Sequence, residues 1–467
     1  MGRNNWYKIV ENVEILDVTA EGKAIARIEN MVIFLPYVVP GDIVDVQIIR
    51  KRKNFLEGRV IKIVKLSDQR AEAFCNHFGV CGGCKWQNLP YEKQLFYKQK
   101  QVVDQFERIG KIKIENLYPI LPSEKTTYYR NKLEFTFSNK RWLFDGESEL
   151  PNETDYWGLG FHIPGRFDKV IDLKECFLQP EPSNSIRIAV SNFCKQNQIP
   201  FFDLKKQEGY LRNLIIRNTL DGQVMIIFCF YLENIEWQEK ILSFVSESFP
   251  EITSIYYAIN PKHNDSLDGI DPVLFKGKEY LTEQLGNLKF KISPKSFFQT
   301  NSKQTEVLYE KVLEFADLKG NENVYDLYSG TGTIGLYLAK NANKVTGVEF
   351  IEDAVNDARE NALLNGITNA TFYTGDTKDV FNSAFIKENG FPDIVILDPP
   401  RNGIHKDIIE LLLTIKPTCI VYVSCNPATQ ARDIELLSNA YTVNKCQPVD
   451  MFPHTHHVEN IVKLIVI

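Results

Sequence analysis

The stretch NVYDLYSGTGTIGLYLAK, Asn323 to Lys340, reads as a strand, a glycine-rich turn and the start of a helix. Glycines at such a turn let the backbone approach a ligand closely, beside the free amides of a helix N-terminus. Gly330, Gly332 and Gly335 fit G-x-G-x-x-G, and Glu349 ends the next apolar run, KVTGVEF. That spacing is the dinucleotide fingerprint, so a nicotinamide enzyme is one reading. Two features point elsewhere: Asp326 sits four residues before the first glycine, and the later strand DIVILDPPRNG ends in Asp398-Pro399-Pro400.

Outward from this turn, apolar runs alternate with helical patterns, the sequence form of a parallel α/β sheet. DAVNDARENALLNG (353–366) is the next helix and ATFYTGD (370–376) the third strand, with Asp376 at its end. DIVILDPP is the fourth strand, CIVYVSCNP (419–427) the fifth, and ENIVKLIVI (459–467) a late strand. Ligands in such sheets bind beyond the carboxyl ends of the strands, where Asp398 and Cys425 both fall. A thiol there, against the Asn426-Pro427 that stops the ladder, either faces a ligand or fills a gap, since free cysteine is commonly buried and inert. Cys419 and Cys229, inside apolar strands, are read as packing thiols, and Cys194 and Cys446 as packing or surface thiols.

The N-terminal third differs. Residues up to about 66 alternate in the β manner, punctuated at Glu21-Gly22, Glu29-Asn30 and Pro40-Gly41, which predicts a small antiparallel barrel. Its basic cluster, Arg50 to Lys53, is a solvated turn or a phosphate contact. CNHFGVCGGC then places Cys75, Cys81 and Cys84 as C-x5-C-x2-C on a glycine-rich loop that can wrap a metal. A fourth thiolate would close the site, and spacing alone allows zinc or an iron–sulfur cluster. Tyr91 to Ile112 has helical periodicity and ends at a glycine. From about Tyr128 to Lys291 the chain reads mostly as short strands.

At 467 residues the chain is too long for one core. Nine cysteines, an odd count, argue against a disulfide framework. No apolar run suggests a membrane span or a signal peptide, so a cytoplasmic protein is expected. The net charge of -6 argues only mildly against nucleic acid, because a sum hides local patches.

SPKSFFQTN (293–301), DLYSGTGTIGL (326–336), LDPPRNGIH (397–405), YVSCNPATQARD (422–433) and DMFPHTHHVENIVKL (450–464) resemble the successive signatures of the RNA (uracil-5-)-methyltransferases. The N-terminal barrel resembles the TRAM domain of the ribosomal-RNA branch. The resemblance implies a multidomain α/β protein: an OB-like TRAM β-barrel (1–67), a central β-rich, RNA-binding iron–sulfur domain (68–290) and a Rossmann-like methyltransferase domain (291–467). The helical segment 91–120 would pack on the last. It implies S-adenosylmethionine as cofactor, 23S ribosomal RNA as partner and a monomer. Gln299, Tyr328, Gly330, Glu349, Asp376 and Asp398 would bind the cofactor, with Glu349 on the ribose hydroxyls and Asp376 near the adenine. Cys176, in VIDLKECFLQP, resembles the family's distant metal ligand; with Cys75, Cys81 and Cys84 it would hold a 4Fe-4S cluster, zinc being the alternative. Thr333 stands where some ribosomal-RNA members carry asparagine, so a contact there is not carried over.

The implied chemistry needs a nucleophile, a base and a polar group to hold the pyrimidine. Cys425 matches the family nucleophile and Glu459 its proton acceptor, although the same glutamate at a strand start is otherwise an ordinary solvated carboxylate. His454, His456 and His457 belong to a substrate loop or the surface rather than a metal site. Three alternatives stay in view. They are transfer-RNA uridine methylation, an amino-methylating enzyme (with Arg401 in place of its stacking aromatic) and a non-catalytic RNA-binding assembly factor.

Overall fold

The computed structural model describes residues 8–144, 146, 147 and 149–467. In the N-terminal unit, strands Ile9–Glu14, Asp17–Val18, Ala24–Ile28, Met31–Leu35, Ile43–Lys51 and Phe55–Lys65 form one sheet. Alternate side chains, among them Ala24, Ala26, Val44, Val46 and Ile48, fill its interior. The N–H of Leu16 donates to the Ile25 carbonyl at 2.8 Å, so the chain leaving the first strand meets the third and the sheet curls on itself.

The cysteine loop leads into a helix, Tyr91–Arg108. It ends before Ile112, earlier than its apolar pattern. Lys111 is left-handed (φ 50°), and the Ile112 N–H turns back to the Phe106 carbonyl at 3.0 Å. Ile112 is therefore the apolar residue of a terminating turn, not another helical position. Gly110 is needed there, since a Cβ would lie 3.0 Å from the Ala431 carbonyl. Val102 and Phe106 are fully buried in the core of the last domain.

The central sheet runs in the order Val273–Gly277, Ser254–Ile259, Val224–Phe230, Leu211–Asn218, Lys132–Ser138, Gly158–Gly160. Two helices that the sequence reading did not name, Ser183–Gln196 and Ile235–Ser248, lie among the expected strands. In the first, Ile186, Val190 and Cys194 recur at four-residue spacing and are all buried. The two helices meet through Phe193 and Phe244, stacked 4.0 Å apart. The opposite sheet face, with Ile215, Met225 and Ile227, shares one core with the last domain.

That domain is a seven-stranded sheet ordered Ala370–Thr374, Lys344–Glu349, Asn323–Leu327, Ile394–Leu397, Cys419–Ser424, Glu459–Val466, Tyr441–Val449. The first five are parallel. The chain enters Tyr441–Val449, a strand absent from the sequence reading, then inserts Glu459–Val466 antiparallel beside Cys419–Ser424. Strands such as Ile394–Leu397 are covered on both faces, which is why they read as unbroken apolar runs. Among the described residues no helix is long and apolar enough to cross a membrane.

Candidate active site

Three residues of the glycine turn are left-handed: Gly330 (φ 54°) and Gly332 (φ 76°), which adopt this backbone readily, and Tyr328 (φ 67°), for which it is strained. Gly332 also allows close packing, because a Cβ would lie 2.9 Å from Ala358 Cβ and from Phe372. Asp326 is buried, and its Oδ2 accepts from the Gly335 N–H at 2.9 Å. Its Oδ1 and the buried Ser329 Oγ have no partner in the protein. Burial pushes the Asp326 carboxyl up to about 8, the Gly335 amide opposing this. Glu349, ending the next strand, accepts from the Gly330 N–H at 3.0 Å and the Ile351 N–H at 2.9 Å. Asp376 caps the short helix Thr377–Val380 and pairs with Lys378 at 2.9 Å, which holds its carboxyl below the usual range. The backbone at Gln299 is fixed by Asn131 Nδ2 on its carbonyl at 2.9 Å. Thr333 bonds Tyr309, hydroxyl to hydroxyl, at 2.8 Å, a pairing the sequence reading lacked.

Register brings the reactive candidates together. Ser424 pairs with Asn460 across the antiparallel strands, so the following residue, Cys425, lies opposite Glu459. Asp398 follows the strand on the other side of Cys419–Ser424. Glu459 is only 4% exposed, so it is not a solvated carboxylate. Burial raises its pKa well above the ordinary value, the Asp398 charge adds to this, and Arg401 opposes it. Burial likewise pushes Asp398 up to about 7. The Cys425 thiol is pushed up to about 11, first by burial and then by Glu459, while the Arg401 guanidinium acts in the opposite sense.

Sequence reasoning named Arg401 only as the replacement of an aromatic and gave it no role beside Cys425. The Arg401 carbonyl accepts from Asn426 Nδ2 at 3.1 Å and Thr429 Oγ1 at 3.2 Å, which ties its loop to the helix that begins just after Cys425. The Asp-Pro-Pro-Arg run beside a strand-end cysteine was the available signal.

The turn 450–458 precedes Glu459. His454 is buried there, with Gln94 Nε2 3.1 Å from its Nδ1. Burial holds His454 and His457 down to about 4, and His456 lower than the usual imidazole as well. All three are neutral near pH 7. His456 lies against the barrel turn, where a Cβ on Gly22 would come within 3.0 Å of its Cβ.

Cys75, Cys81, Cys84 and Cys176 line a single pocket with Phe161 and Leu178. Burial pushes the Cys81 and Cys84 thiols up to about 12. Among the described residues, no group of three or more His, Cys, Asp or Glu is gathered tightly enough for one metal ion. Cys194, Cys229, Cys419 and Cys446 are buried packing residues.

The barrel and the seven-stranded sheet both lie in segments that match known proteins. A sequence profile of the tRNA (Uracil-5-)-methyltransferase family matches residues 273–466, and a TRAM domain profile matches 10–61. Proteins described as uncharacterized RNA methyltransferases from Porphyromonas gingivalis and Bacteroides thetaiotaomicron are 51% and 52% identical. The alignments cover 97% and 96% of this chain and 99% of each relative. The crystal structure of Pyrococcus abyssi tRNA (uracil-54, C5)-methyltransferase in complex with S-adenosyl-L-homocysteine is 30% identical, with a TM-score of 0.76. It covers 98% of this chain and 100% of its own. Fold and relatives define the class as S-adenosylmethionine-dependent RNA methyltransferase. Within that class, the chain belongs to the RNA (uracil-5-)-methyltransferase family, as a member carrying an N-terminal TRAM domain.

Proposed function

We propose that the protein methylates carbon 5 of a uridine in 23S ribosomal RNA through a covalent adduct with Cys425. The observation that carries this reading is the convergence of Cys425, Glu459, Asp398 and Arg401 at the ends of adjacent strands. Bound S-adenosylmethionine supplies an electrophilic methyl group. Carbon 5 of neutral uracil is too weak a nucleophile to take it. The Cys425 thiolate bonds to carbon 6, and the ring electrons move toward the carbon 4 carbonyl as an enolate, which makes carbon 5 electron-rich. Arg401 favours that thiolate over the thiol. After carbon 5 gains the methyl group, Glu459 as carboxylate removes its proton. The C–H electrons rebuild the ring double bond, and the carbon–sulfur bond breaks to return the thiolate.

The glycine turn fits the cofactor: Asp326 Oδ1 and Ser329 Oγ are buried, unpartnered and beside it. Glu349 would take the ribose hydroxyls, Asp376 the adenine side, and Gln299, Tyr328, Gly330 and Asp398 the methionine end. The four cysteines are read, by the family resemblance, as ligands of a 4Fe-4S cluster. Its four donors are all sulfur and line one pocket, and both a cluster and zinc accept four thiolates, so zinc stays the alternative. Such a cluster would cross-link the cysteine loop to the central domain and take no part in methyl transfer. In this division of labour residues 1–67 and 68–290 grip RNA, and 291–467 carry the chemistry.

Transfer RNA is the second reading. The match to the archaeal tRNA enzyme spans 98% of this chain and therefore includes the barrel, so the barrel does not by itself select ribosomal RNA. Mapping 5-methyluridine in ribosomal and transfer RNA from cells with and without the protein separates the two. Loss from 23S RNA supports the first, loss from transfer RNA the second, and no loss in either overturns the proposal.

A further inference from the structure

Tyr91, Gln94 and Lys98 are spaced i, i+3, i+7 on the helix Tyr91–Arg108, so they share one face. All three grip the turn 450–458. The buried Lys98 ammonium donates to Asp450 Oδ1 at 2.6 Å and to the Phe452 carbonyl at 2.9 Å. The Tyr91 hydroxyl donates to Asp450 Oδ2 at 2.8 Å. Gln94 Oε1 accepts from the His454 N–H at 2.8 Å. The turn is tied on a second side by Asn301 Nδ2, which donates to the Met451 carbonyl at 3.0 Å.

This turn joins two paired strands, and its ends are Val449 and Glu459, which face each other in register. Every bond just described therefore fixes the segment that delivers Glu459. The same helix packs on the helix Pro427–Leu437, which begins two residues after Cys425. A buried ion pair is weak evidence for stability, because desolvating both charges offsets most of their attraction. Its better-attested use is to fix one arrangement among several. We infer that Lys98 and Asp450, with Tyr91, are positioning residues that hold Glu459 opposite Cys425 for the proton-removal step.

This inference rests on the proposed adduct chemistry, and the experiment keeps the two separate. Wild type and the double variant Lys98→Met/Asp450→Asn, which leaves no unpaired buried charge, are mixed with 5-fluorouridine RNA and, separately, with ordinary RNA. The expected result is normal trapping on the fluorinated RNA. On ordinary RNA the covalent adduct should form at the wild-type rate but be released about tenfold more slowly, since a misplacement of about 1 Å costs up to about a hundredfold. A merely structural pair would slow formation and release together, or neither. Release at the wild-type rate, or equal slowing of both steps, overturns the inference. If the double variant does not fold, Tyr91→Phe decides by the same readout: slower release alone supports it and unchanged release overturns it. Failure of the wild type to trap fluorinated RNA removes the adduct reading, and the inference with it.

Discussion

The backbone N–H of Gly330 donates to Oε2 of Glu349 at 3.0 Å, so the turn and the acid that ends the neighbouring strand are one unit. Replacing Glu349 with Ala frees that amide and removes the carboxylate proposed for the ribose. A hydrogen bond to a charged group contributes about 1.5–3 kcal/mol, or roughly 10- to 100-fold in affinity. Titration calorimetry should show S-adenosylmethionine Kd rising by that factor while RNA affinity stays put. Unchanged cofactor affinity would remove Glu349 from the site.

Cys425→Ala is expected to abolish methylation and leave cofactor binding intact. Trapping by 5-fluorouridine RNA should vanish with it, since fluorine cannot leave carbon 5 as a proton does. An active alanine variant would end the nucleophile assignment.

Glu459→Gln should accumulate the adduct on ordinary RNA, because the base acts after the methyl group has moved. Quantifying protein–RNA conjugates on denaturing gels against time tests this. Wild-type turnover in the variant would take Glu459 out of the mechanism.

Asp326 gives a pH test of folding. Its carboxyl is raised to about 8 in the fold, first by burial, against an ordinary value of 3.8. A raised carboxyl means the folded state holds the proton more tightly, so this contribution is complete below about pH 4 and is lost as pH rises through 8. Asp326→Asn, which keeps an acceptor for Gly335, should gain in Tm relative to wild type as pH goes from 5 to 8. A constant Tm difference across that range would contradict the assignment.

Cys176→Ser should lose any bound cluster and weaken the central domain before it alters cofactor affinity. Protein purified without oxygen should be brown and contain iron and sulfide. One tightly held zinc, or four free thiols in fully active protein, would refute the cluster.

What could be read from the sequence was what is local. The SGTGTIG turn, the Glu349 strand end and the alternation of the barrel are short-range patterns, and each fell in place. The helix Ser183–Gln196 was not named, because its apolar stripe becomes decisive only against the sheet it covers. Glu459 was found by resemblance alone, for nothing in HHVEN says that its strand inserts antiparallel beside Cys425. Lys98 and Asp450 are 352 residues apart, and no local pattern joins them. Arg401 was noticed only as a missing aromatic; its place beside Cys425 needed the loop that Asn426 and Thr429 anchor.

The burial of Val102 and Phe106 in the core of the last domain has a consequence for biosynthesis. The ribosome delivers Lys98 long before Asp450, and at 5–20 residues per second the interval is roughly 18–70 s. For much of that time the Val102 and Phe106 face of the helix Tyr91–Arg108 lacks the core it fills, although Tyr97 and Lys100 already have partners on the barrel side, and that apolar stripe stays open to chaperones. A polypeptide started at residue 291 would have the converse defect: a groove with nothing to fill it. Supplying residues 68–120 as a separate chain should restore solubility to such a fragment, and that complementation would show the catalytic unit to be assembled from two distant parts of the message.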